Sequence, residues 1–99
     1  GDECCEWRMT INQIVTGAEA DAVMIQNILG GADSEANRQA FLDSGLYDGT
    51  SFGAPPAPAG GCVDEAAYVD AFDHATQEVQ FLSAFEAWCG ADPANCPFP

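Results

Sequence analysis

The chain contains no lysine, and sixteen acidic residues face only Arg8 and Arg38, for a formal net charge of −14. Nucleic acid is thereby excluded as an expected partner, because binding it relies on Lys and Arg neutralising phosphates. An anionic membrane surface is disfavoured for the same reason. No apolar run approaches the roughly 18 residues that span a bilayer, so membrane insertion is not expected. The chain is also poor in catalytic parts. His74 is the only histidine, and no serine or cysteine has a base beside it in a glycine-rich elbow. Asp70, His74 and Glu78 share one helical face at steps of four, a spacing that could offer ligands to a divalent ion. A solvated helix face is the plainer reading of that trio. Zinc through the cysteines would require CxxC-type clusters, which are missing. We therefore expect no enzyme, no metal site and no cofactor.

The most informative residues present are five cysteines, Cys4, Cys5, Cys62, Cys89 and Cys96, in 99 residues. They fall at or near the ends of the expected helices, which suggests staples at helix ends. Stapled small domains belong to oxidising compartments. A start at Gly1 rather than Met fits a processed product. Both lead to the expectation of a secreted, extracellular protein. The hydrophobic fraction of 47% rules out a disordered acidic tail. The length corresponds to one domain with a modest core.

Periodicity defines the elements. Trp7, Ile11, Ile14, Ala18, Ala22, Ile25 and Leu29 recur at steps of three and four, predicting a helix over about 3–29. Gly17 inside it marks a candidate kink, and Gly30-Gly31 a C-terminal stop. Asp33 or Ser34 offers an N-cap for a short helix over about 34–43, with Ala36, Ala40, Phe41 and Leu42 on its apolar side. Residues 46–61 form a loop, since Asp48-Gly49, Gly53, Pro55-Pro56, Pro58 and Gly60-Gly61 forbid regular structure. Its Ala-Pro-Pro-Ala-Pro core is expected to be extended. It reads as a spacer first and as a recognition loop carrying Leu46, Tyr47 and Phe52 second.

Asp64 should cap a third helix over about 64–89, with Tyr68, Phe72, Ala75, Val79 and Leu82 as its inner stripe. Phe81, Phe85 and Trp88 add a second apolar flank. Gly90 is expected to stop the helix, and a Pro-rich tail, 90–99, holds Cys96. The expected fold is all-α: a small disulfide-stapled three-helix bundle, long–short–long, with a Pro/Gly-rich loop before the last helix.

An odd cysteine count leaves at least one thiol over, and many connectivities exist. If the long helices run antiparallel, Cys4 and Cys5 lie near Cys89 and Cys96, and Cys62 is left over. If they run parallel, Cys62 meets Cys4 or Cys5, and Cys89 closes onto Cys96. The antiparallel arrangement is our expectation, since it uses the two clusters as partners. The spare thiol either stays buried or makes a covalent homodimer.

The flank of Phe81, Phe85 and Trp88 is the leading candidate for partner contact if it is exposed; otherwise helix 2 or the tail covers it. With antiparallel packing Trp7 would border it. Trp7, Phe81, Phe85, Trp88, Tyr47 and Phe52 are thus the expected partner-binding residues. A carrier would instead hold an apolar ligand in a cavity lined by Trp7, Ile11, Phe72, Phe85 and Trp88. An acidic inhibitor of a basic protein is a third reading, one whose binding weakens with salt.

The start Gly1-Asp2-Glu3-Cys4, the three predicted helices, the near absence of cations and the ending Asn95-Cys96-Pro97 with its short apolar tail carry a resemblance. In these features the chain resembles the water-borne mating pheromones of Euplotes-type ciliates, which are small, acidic, secreted helical proteins tied by disulfides. The resemblance implies a signalling ligand that binds a cell-surface receptor, on the secreting cell or on another mating type, through helix faces.

Overall fold

The apolar stripe of the N-terminal segment shapes the molecule. In a computed structural model, which describes residues 2–49 and 52–96, this stripe lies on α1 (Asp2–Leu29). Trp7, Ile11, Ala18, Ala22, Ile25 and Leu29 are buried along it. Ile14, counted on the same stripe, sits at its edge and is 36% exposed. A single 3₁₀ turn, Gly30–Ala32, closes α1 at the two glycines. Ser34 then caps α2 (Glu35–Asp43), its Oγ accepting from the Asn37 N–H at 3.2 Å. That bond satisfies one of the donors a helix start leaves unpaired. Phe41 is the buried residue of α2; Ala36, Ala40 and Leu42, expected beside it, are exposed.

The last helix, α3 (Glu65–Ala91), differs from expectation at both ends. Asp64 occupies the N-cap position, but with φ 62° and no side-chain capping bond. The chain enters α3 through a tight turn instead, in which the Gly61 N–H donates to the Pro58 carbonyl at 3.0 Å. Gly60 and Gly61 have φ of 90° and 76°, a region in which only glycine sits without strain. Gly90 does not stop the helix, which runs on to Ala91. The stop falls at Asp92-Pro93, where the chain turns extended and proline cannot continue the helical bonding. Asn95 then folds the tail back, its Nδ2 donating to the Trp88 carbonyl at 2.9 Å. Gly1, Thr50, Ser51 and the apolar ending at 97–99 lie outside the described residues.

The fold is all-helical, with three helices and two disulfides and no strand among the described residues. The long helices run parallel, which corrects the antiparallel expectation. Trp7 and Ile11 at the start of α1 pack on Phe72 near the start of α3. Ile25 and Leu29 at its end pack with Leu82, Phe85 and Cys89. The segment between α2 and α3 makes this possible. A connection of sixteen residues can span at most roughly 50 Å, more than the approximately 42 Å of a 28-residue helix. The loop thus returns the chain to the starting end before α3 begins. It does so as a packed strap. Ala54 and Ala57 lie on the Trp7–Phe72 cluster, and the Trp7 indole Nε1 donates to the Pro55 carbonyl at 2.8 Å.

The cysteine pairs follow this direction: Cys4–Cys62 ties the strap to the start of α1, and Cys89–Cys96 ties the tail to α3. Cys5, not Cys62, is the free thiol, and it is exposed. From the loops they close, the pairs limit the unfolded chain by about 4 and about 2.5 kcal/mol.

Candidate partner-docking face

Phe41 of α2 sits at the centre of the aromatic flank. Its ring centroid lies 5.6 Å from Phe81, 5.7 Å from Phe85, 5.4 Å from Trp88 and 5.9 Å from Tyr47. Tyr47 in turn meets Phe81 edge-on at 5.3 Å. Phe85 is fully buried, while Phe81, Trp88 and Tyr47 are half-buried. α2 therefore packs over the flank expected to meet a partner, and Phe85 offers no surface. Trp7 is buried beneath the strap at the other end of the molecule, so it does not border the flank. The same separation removes the five-residue carrier cavity, because Trp7, Ile11 and Phe72 form one cluster and Phe85 with Trp88 belongs to another. Of the six expected contact residues, Phe52 alone is largely exposed, at 64%.

Both arginines are committed inside the fold. Arg38 Nε donates to Asp33 Oδ1 at 2.6 Å and its Nη2 to Glu78 Oε1 at 3.3 Å, while its guanidinium lies over the Phe81 ring. The Asp33 hydrogen bond is the main cause that pushes the Arg38 pKa upward, against the opposing effect of burial. Arg8 Nη2 donates to the Val63 carbonyl at 3.0 Å and its guanidinium stands over Tyr68. The outward charge is consequently acidic. Tyr47 feels this: burial first, then the Asp48 and Glu78 charges, raise its phenol above the ordinary 10.0.

Glu78 is held by Arg38, which takes one acid out of the Asp70–His74–Glu78 trio. No three His, Cys, Asp or Glu side chains among the described residues converge on a metal-sized site. His74 and Tyr47 line an open pocket of ≈ 330 Å³ between α2 and α3.

A larger groove lies on the strap side. It encloses ≈ 450 Å³, with Phe72, Thr76 and Val79 of α3 at its base, Ile14 and Gly17 on α1, and Phe52 on the strap. Thr76 is buried there but satisfied, its Oγ1 donating to the Phe72 carbonyl at 2.7 Å. Farther along the same side, Ile28, Glu86, Ala87 and Gly90 line a second recess of ≈ 370 Å³. Sequence reasoning missed this face, although a signal was present. Ile14, Gly17, Asp21, Met24 and Ile28 repeat at steps of three and four, a second stripe about 90° around α1 from the first. Met24 and Ile28 on it are more than half exposed.

No family model, curated protein or solved structure matches this chain.

Proposed function

We propose that this protein is a secreted signalling ligand, a mating pheromone of the kind the Euplotes-type resemblance implies, which binds a cell-surface receptor through a helix face. The observation that carries this reading is a doubly stapled helical pair with uncovered apolar side chains set in an acidic surface. A stapled surface is pre-organised, which lowers the ordering cost of binding. The acidic surface keeps the ligand dispersed before it meets a receptor. No helix among the described residues is long and apolar enough to cross a membrane, and disulfides persist in an oxidising, extracellular setting. The exposed Cys5 thiol supplies a covalent route to a homodimer. Chemistry is not part of the proposal: the chain acts by binding, as a non-enzyme.

The test is a cell assay. Refolded protein with both disulfides, labelled at Cys5, is added to ciliate cells of each mating type at nanomolar to micromolar levels. Saturable surface binding that unlabelled protein displaces, together with induced pairing, is the expected result. Binding that never saturates on any type would end the pheromone reading. The same acidic surface supports one other reading, an inhibitor of a basic protein. Its mark would be a basic enzyme silenced at low salt and released at high salt.

A further inference from the structure

The strap covers only part of the side of the α1–α3 pair on which it lies. Beyond Phe52, the surface continues over Gly17 and Asp21 of α1 and over Ile28 of α1 with Glu86 and Gly90 of α3, and Met24, on the same stripe of α1, is exposed. One helix-interior glycine on this surface, Gly17, has no reason within the fold, and Gly90 lies in the last turn of α3. A β-carbon at Gly17 or Gly90 would meet nothing within 4 Å, and neither residue has a positive φ. Glycine in a helix interior weakens the helix. Gly17 therefore carries a cost that no internal packing explains, and both glycines leave backbone open to close approach from outside.

The charge pattern says what can approach. Asp21 and Glu86 lie among these apolar and glycine positions, and neither arginine reaches them, because Arg8 and Arg38 are bound elsewhere. A second copy would bring another −14 charges to the same acids. Anionic lipid or nucleic acid would be repelled likewise.

We propose that this face receives a helix of another protein, apolar along one ridge and basic along its edges. The ridge lies in the groove over Gly17 and against Met24 and Ile28, and Lys or Arg on its flanks meets Asp21 and Glu86. This is helix-in-groove recognition, with charge setting the choice of partner. It rests on the reading of the chain as a recognition ligand and names the chemistry of the partner.

The test uses three synthetic amphipathic helical peptides with one shared Leu/Ala ridge and flanks of Lys/Arg, Gln or Glu. Each is titrated into the isotope-labelled, disulfide-intact protein and followed residue by residue by NMR. The Lys/Arg peptide should shift the Gly17, Met24, Ile28 and Gly90 amides and bind at least about tenfold tighter than the Gln peptide, with an advantage that shrinks as salt rises. Gly17→Leu should lose about tenfold in affinity, and Gly17→Ala should weaken binding while raising the melting temperature, a combination that lost folding cannot produce. Equal binding of the Lys/Arg and Gln peptides, shifts confined to the Met9 or Cys5 side, or undiminished binding to Gly17→Leu would each overturn the proposal. So would concentration-dependent shifts at these amides without peptide, which would assign the face to a second copy. A wild-type protein that drives pairing while failing here would refute this surface alone; one that binds here while no cell responds would refute only the pheromone reading.

Discussion

Replacing Phe41 with alanine tests whether one side chain secures the whole of α2. Phe41 is 2% exposed and is the buried residue of a nine-residue helix. It touches four aromatic rings, so truncation removes both its own burial and the partners' edge and face contacts. A buried Phe→Ala change costs about 3–5 kcal/mol, against a total stability of about 5–15 kcal/mol for a domain. The effect should be local as well as global. A helix this short does not persist in water by itself. Its other side-chain ties include the part-exposed Arg38 ion pairs to Asp33 and Glu78, worth about 1 kcal/mol or less each, the Arg38 guanidinium over Phe81 and the Asn37 Nδ2 bond to the Ala32 carbonyl. Urea unfolding with the disulfides intact should show the loss. Trp88, 5.4 Å from Phe41, should change its native fluorescence, whereas Trp7 in the other cluster should not. Trp7→Phe and Trp88→Phe backgrounds separate the two signals. A loss below about 1 kcal/mol with undiminished helicity would refute the assignment of Phe41 as the anchor.

Four further outcomes follow from the same contacts. Trp7→Phe keeps one six-membered ring but loses the rest of the buried indole and the 2.8 Å bond to the Pro55 carbonyl. Stability should fall by more than the ~1 kcal/mol of a lost hydrogen bond, and faster exchange of the Gly61 amide, which donates to the Pro58 carbonyl, should accompany it. Paired Cys4→Ser and Cys62→Ser substitution should cost about 4 kcal/mol in thermal unfolding, while the Cys89–Cys96 bridge still forms by mass. Tyr47 has a folded pKa above 10.0, so its contribution is intact below pH 10 and is lost as pH rises through the folded value. A 295 nm titration should show a late phenol that Tyr47→Phe removes, and this variant should lose less stability than wild type in alkali. Intact mass after alkylation should add one label, at Cys5, to the monomer, and any disulfide-linked dimer should vanish in Cys5→Ser.

Much of this molecule was legible in local pattern. Steps of three and four from Trp7 to Leu29 mark α1 because a helix returns to one face every 3.6 residues. Clustered Pro and Gly between Leu46 and Gly61 exclude helix whatever surrounds them. The acidic surface follows from composition alone. The direction of α3 was not legible, because a strap longer than α1 permits either packing. Parallel packing was decided by which ends bury together: Trp7 and Ile11 with Phe72, Leu29 with Leu82 and Phe85. The cysteine pairing followed, since a bridge requires Cα atoms within about 7 Å, and only the tertiary structure places Cys4 and Cys62 5.7 Å apart. It likewise decided which apolar flank was used up. Phe81, Phe85 and Trp88 are covered by Phe41, while the weaker second stripe of α1, which includes Gly17, stays open. Periodicity tells that a face is apolar, but whether it is covered depends on residues far away in the chain.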